Sequence, residues 1–132
     1  MALLARWLAP LIGRAEPLPP ALGERFPELR DVRYRRGGLP ARVAGWMLGQ
    51  RSVSAITLWR TVFLGADTSM SAELLLHELG HVHQFEAGVT FPIRYLWASA
   101  RLGYHANPYE AEAEAFAAER LRVASTPRRG DG

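Results

Sequence analysis

The run His77-Glu78-Leu79-Gly80-His81 constrains this chain more than any other feature. Apolar spacing and capping residues predict a helix that starts near Ser69 or Ser71, runs to about Glu86 and stops at Gly88. Histidines four apart on a helix lie about 40° from each other around its axis. Both imidazoles therefore face one side, one turn apart, and can reach a single ion. Glu78 lies near that same point, where it can take a proton from a water on a bound metal. Leu75, Leu76 and Leu79 supply the apolar flanks of a buried helix. Any fold adopted by this chain must bury that helix and bring a third ligand to it, because two histidines hold zinc poorly. The chain has no cysteine, so the third ligand is a histidine or a carboxylate.

The segment Asn107-Pro108-Tyr109-Glu110-Ala111-Glu112-Ala113-Glu114 offers that ligand. Glu110 and Glu114 share a helix face. If Glu110 binds the metal, Glu114 is one turn on and can accept the ring N–H of a ligating histidine. Asn107 as N-cap also puts Glu110 at the N3 position of a capping box, and spacing alone does not separate ligand from cap. His83 lies about 200° around the helix from His81 and faces away from the metal. His105, Tyr104 and Tyr109 are candidates for a transition-state hydrogen-bond donor, and His105 is a further candidate ligand. Gly80 costs a helix about 1 kcal/mol relative to alanine, which a close backbone approach or room for substrate would explain.

The rest of the chain supplies a frame for this site. Residues 14–29 are rich in proline and read as an irregular arm with at most one helical turn. Residues 31–35 alternate like a strand, 40–49 suit a short helix, and 52–58 with 61–65 read as two strands joined near Trp59-Arg60. That turn is unusual, because neither residue favours φ > 0. A helix over 91–102, begun at Thr90 and Pro92 and ended by Gly103, carries an apolar stripe of Ile93, Leu96, Trp97 and Ala100. Trp46, Trp59 and Trp97 read as core residues. The last helix runs from Asn107-Pro108 to about Val123. One domain is expected over residues 1–124, with an amphipathic helix and arm over 1–29 and a disordered tail over 125–132.

All 16 basic residues are arginine, and the formal charge is +3. No nucleic-acid-binding motif accompanies the arginine clusters, so nucleic acid is not an expected partner. No apolar run is long enough to span a bilayer. The N-terminal run is too short and broken for a good secretory signal, which favours a cytoplasmic location. Residues 1–13 fit an amphipathic helix packed on its own domain, with a membrane surface or a partner protein as the alternative.

HExxH followed by Glu-x-x-Ala-(Asp/Glu)-x-Phe-Ala resembles the gluzincin group of zinc metallopeptidases. The longer stretch is similar to a family of small bacterial zincin-like domains of unknown function. It rests on Ala55-Ile56-Thr57-Leu58, on Leu75-Leu76-His77-Glu78-Leu79-Gly80-His81-Val82-His83-Gln84, and on Tyr104-His105-Ala106-Asn107-Pro108-Tyr109-Glu110-Ala111-Glu112-Ala113. The resemblance implies one zinc ion on His77, His81 and Glu110, with Glu78 as catalytic base. Glu114 stands where the family more often has Asp, and Trp59 where it usually has a small residue. The expectation is an α+β zincin-like fold: a small antiparallel sheet of about three strands, packed on the HExxH helix and a Glu-bearing helix. The expected activity is hydrolysis of a peptide or protein substrate lying along the edge strand. The competing expectation is a zinc-stabilised module that docks a partner or membrane without proteolysis.

Overall fold

The computed structural model describes residues 12–38, 40 and 55–126. A four-stranded sheet is formed by β1 (Arg14–Ala15), β2 (Arg33–Arg36), β3 (Ala55–Leu58) and β4 (Thr61–Leu64), in the order β1-β2-β4-β3. Helix α1 (Pro20–Arg25) and a 3-10 turn (Pro27–Asp31) connect β1 to β2. Three longer helices follow: α2 (Ala72–Ala87), α3 (Phe91–Leu102) and α4 (Pro108–Ser125).

The α+β class agrees with expectation, but the sheet is mixed rather than antiparallel and has four strands rather than three. β2 and β4 run parallel with Arg33 opposite Thr61, whereas β1–β2 and β3–β4 are antiparallel. The physical reason lies in β4. Val62, Phe63 and Leu64 are all buried, which demands an interior strand. The hairpin therefore inserts with β4 against β2 and β3 outermost. Residues 1–11, the expected helix over 40–49 apart from Pro40, the first three residues of the expected strand over 52–58 and the tail beyond Thr126 lie outside the described residues; Ser125, the expected start of that tail, still belongs to α4.

The proline-rich arm is more ordered than its composition suggests. Pro20 sits in the first turn of α1, where its missing N–H has no partner to lose. Phe26 and Leu29 are fully buried, and the Tyr34 hydroxyl donates to the Leu29 carbonyl at 2.8 Å. They join Val62, Leu64, Leu75, Leu76, Leu79 and Val82 in one core between the sheet and α2. The arginine clusters serve this frame. Arg35 donates to the Ile12 and Gly13 carbonyls at 2.8 Å each, and Arg36 to the Thr68 carbonyl at 2.6 Å. Arg120 lies over the Phe26 ring at 4.9 Å and pairs with Glu28.

The β3–β4 turn falls at Trp59-Arg60 as expected, with Trp59 at φ 54. Left-handed backbone costs a side-chain-bearing residue about 1–2 kcal/mol. Flanking contacts hold it: the Trp59 ring packs on Phe85 at 5.3 Å, and Arg60 pairs with Glu86 and donates to the Asp31 carbonyl. Trp59 and Trp97 are both 65% exposed, which corrects their assignment to the core.

α2 begins at Ser71, whose hydroxyl accepts from the Leu74 N–H at 3.2 Å. It packs against α4 at a close crossing made possible by Gly80. A Cβ built there would sit 3.0 Å from Ala113 Cα and 3.2 Å from Ala113 Cβ. This approach brings the start of α4 to the histidine face of α2. Among the described residues, no helix is long and apolar enough to cross a membrane.

Candidate metal centre

His77, His81 and Glu110 converge, and their candidate ligand atoms all lie within 4.8 Å of one another. His77 Nε2 donates to Glu110 Oε2 at 2.9 Å, and His81 Nε2 lies 3.1 Å from Glu110 Oε1. A tetrahedral ion with bonds of about 2.0–2.2 Å holds neighbouring donors roughly 3.3 Å apart. The two observed contacts, which go to different oxygens of the carboxylate, fall a few tenths of an ångström inside that edge. Two imidazoles and a carboxylate are also a suitable donor set, so these three residues could hold a metal ion.

Asn107 does cap α4, its Oδ1 accepting from the Tyr109 N–H at 2.9 Å. Glu110 does not close the capping box. Its side chain turns to the histidines instead, and the Tyr95 hydroxyl donates to Glu110 Oε1 at 2.6 Å. Burial opposes the charge of Glu110, but the hydrogen bonds from His77, His81 and Tyr95 outweigh it and hold the carboxyl well below its usual range. Tyr95 is fixed in turn by the N-cap of α4. The Asn107 side-chain amide donates to Ser99 Oγ at 2.8 Å and to the Tyr95 carbonyl at 3.3 Å.

His81 is oriented by Gln84, one turn further along α2. Gln84 Nε2 donates to the Tyr109 carbonyl at 2.9 Å and to Glu112 Oε1 at 3.2 Å. Both partners are acceptors, so Gln84 Oε1 must face His81, and His81 Nδ1–H donates to it at 2.8 Å. That bond aims Nε2 at the shared centre. Burial disfavours a charged His81, yet the Glu110 hydrogen bond and the Glu78 charge prevail and push its pKa up to about 9.

Glu114, expected to support a histidine, is exposed on α4, and Gln84 makes that contact. His83 is exposed with its ring 5.1 Å from Phe116, turned from the centre as its spacing predicted.

Glu78 is buried beside the centre, and Thr57 Oγ1 of β3 donates to Glu78 Oε2 at 2.7 Å. Both line a cleft of about 360 Å³ between β3 and α3, with His81, Glu110, Tyr95 and Tyr104 at its polar end and Phe85, Phe91 and Leu96 along its walls. Tyr104 is the one sequence-predicted donor that lines this cleft. Burial and the nearby Glu110 and Glu78 charges push its pKa up to about 12, so its hydroxyl keeps its proton. His105 is exposed against Tyr104, and the Tyr109 ring packs on Phe91 at 5.3 Å. Neither lines the cleft.

In the sequence reading Thr57, Gln84 and Tyr95 have no role at the site. Only Gln84 had a usable signal, since a residue three positions after a histidine shares its helix face.

A family model, the eCIS core domain (extracellular contractile injection system core), matches residues 16–89. That is more than half of the 132 residues, and the chain belongs to the eCIS core domain family. The matched region takes in the sheet from β2 onward and α2 with His77, Glu78 and His81, and it ends before Glu110. The matching model is therefore the eCIS core domain, and not the small zincin family toward which the motifs point. No curated protein and no solved structure matches the chain.

Proposed function

We propose that this domain is a zincin-like, zinc-dependent peptidase of the gluzincin type. The observation supporting it most is the meeting of His77 with His81 and Glu110, the latter two at the polar end of a cleft, with the buried carboxylate of Glu78 beside them. Those three residues would hold one zinc ion, which supplies Lewis acidity toward water and a carbonyl oxygen. Glu78 takes a proton from the attacking water and later delivers it to the leaving amine. Thr57 fixes one oxygen of that carboxylate, Oε2, and leaves the proton to Oε1. Tyr104 keeps its hydroxyl proton and donates a hydrogen bond to the developing oxyanion. The apolar walls of the cleft exclude bulk water from the polar end. An extended peptide would add to the sheet along β3, the edge strand that lines the cleft.

A second reading has an observation of its own. The family description names a component of an injection system and no hydrolysis. On that reading the domain is a zinc-stabilised module that docks a partner. Metal analysis and a peptide-library assay separate the two. The peptidase reading expects bound zinc, turnover abolished by chelator, and a Glu78→Gln variant that keeps zinc but does not turn over. Zinc without turnover on any library peptide leaves the docking module. A variant as active as the parent removes Glu78 from its role.

A further inference from the structure

The outer face of α3 is apolar, and Trp97, expected in the core, stands on it. Ile93 is 72% exposed, Trp97 65% and Leu96 54%, and Ala100 between them is exposed too. On a helical wheel these four fill one arc of about 100°. Phe91, Tyr95 and Ser99, which make the internal contacts described above, lie outside that arc. Arg94 and Arg101 are exposed along one border of the apolar arc. Leu96 and Ala100 form its other border and also line the cleft.

The charge on the segment that carries this face has one sign. Residues 87–109 contain no Asp or Glu. Glu86, just before them, is paired with Arg60. A large aromatic and branched aliphatic groups, flanked by arginines on a helix that carries no acid of its own, match the boundary of an anionic bilayer. Apolar side chains enter the acyl edge there, and guanidinium groups meet the headgroup phosphates. A second copy of the chain fits less well, because two such faces would bring four arginines together.

We infer that the outer face of α3 is a docking surface for anionic lipid bilayers, with Ile93, Leu96 and Trp97 as the inserting side chains and Arg94 and Arg101 as headgroup contacts. This inference does not depend on the peptidase reading. Docking would set the mouth of the cleft beside the membrane surface.

The test is sedimentation of the full chain with phosphatidylcholine vesicles, with and without a third of phosphatidylglycerol, at low and high salt. The expected result is binding to the anionic vesicles, weakened by salt. The Ile93→Glu/Trp97→Glu double variant should weaken it by at least roughly tenfold. Arg94→Gln/Arg101→Gln should weaken binding only to the anionic vesicles and flatten the salt dependence. Both variants alter exposed positions, and unchanged melting would confirm that they fold. Three outcomes overturn the inference. One is no binding at low salt. Another is unchanged binding by both variants, which moves any membrane contact elsewhere on the chain. The third is a parent dimer, seen in analytical ultracentrifugation, that the Glu double variant converts to monomer; this assigns the face to a second copy.

Discussion

Replacing Gly80 with alanine tests whether the crossing of α2 and α4 sets the metal geometry. Two effects oppose each other. Alanine favours the helical state by about 1 kcal/mol over glycine. The new methyl would meet Ala113 Cα at 3.0 Å, Ala113 Cβ at 3.2 Å and Phe116 Cδ1 at 3.4 Å. Carbon atoms pack best at about 3.5–4.0 Å, so α4 must retreat by roughly half an ångström. The first of these neighbours is backbone, which cannot turn aside as a side chain can. Overpacking of this kind costs about 1–3 kcal/mol, leaving a net loss of about 0–2 kcal/mol. A domain of this size should then melt up to several degrees lower in chelator. Glu110 sits one turn before Ala113 on the same helix, so the retreat also draws its carboxylate from the histidines. The rise in melting temperature on adding zinc should shrink accordingly. Calorimetry of parent and variant, with zinc and with chelator, reads both quantities. A variant that melts higher than the parent and gains as much from zinc would refute the argument.

Other changes probe the side chains around the centre. Gln84→Leu removes the acceptor at His81 Nδ1, and zinc affinity, measured by competition with a chromophoric chelator, should fall roughly tenfold to a hundredfold. Thr57→Val deletes the hydroxyl that donates to the buried Glu78 carboxylate. It should lower stability by about 1.5–3 kcal/mol in denaturant titration, with Thr57→Ser recovering most of the loss.

The sequence was most legible where a local rule and a tertiary demand agreed. The HExxH helix, its Ser71 cap and the Asn107 start of α4 follow from spacing and capping. The approach allowed by Gly80 was likewise an open alternative in the sequence. Sheet order was not legible, because alternation identifies a strand without naming its neighbours. Only the burial of Val62, Phe63 and Leu64 together places β4 inside. The stripe on α3 misled for a related reason. Helical periodicity shows that one face is apolar, but not which way it points. Here Tyr95 and Asn107 anchor the opposite face and turn Ile93 and Trp97 outward. Tyr95 was hidden by the same error. Glu114 shows the limit of spacing within the site: its position one turn past Glu110 was right for a supporting acid, yet it is exposed, and Gln84 on the neighbouring helix reaches His81 first.

The hydrogen bonds of the centre also determine how the proposed zinc site behaves without its ion. Glu110 is 9% exposed and would be strongly destabilising if left alone with its charge. It is not alone: His77, His81 and Tyr95 all reach its two oxygens. His81 faces an acceptor at each ring nitrogen, Gln84 Oε1 at one and Glu110 Oε1 at the other. A protonated His81 therefore satisfies both and balances the carboxylate. Among the described residues, no buried side-chain polar atom lacks a partner. The metal-free centre is thus internally compensated, unlike small structural zinc sites whose folding free energy is the metal's own. Chelator should strip the ion and leave the fold, with far-UV circular dichroism and cooperative melting retained and the midpoint lowered only by the loss of ligand. Rebinding must displace the proton on His81 Nε2, so zinc uptake near neutral pH should release protons to a weak buffer. Loss of helical signal on chelation would show that Tyr95 and the histidines cannot hold Glu110 without the ion.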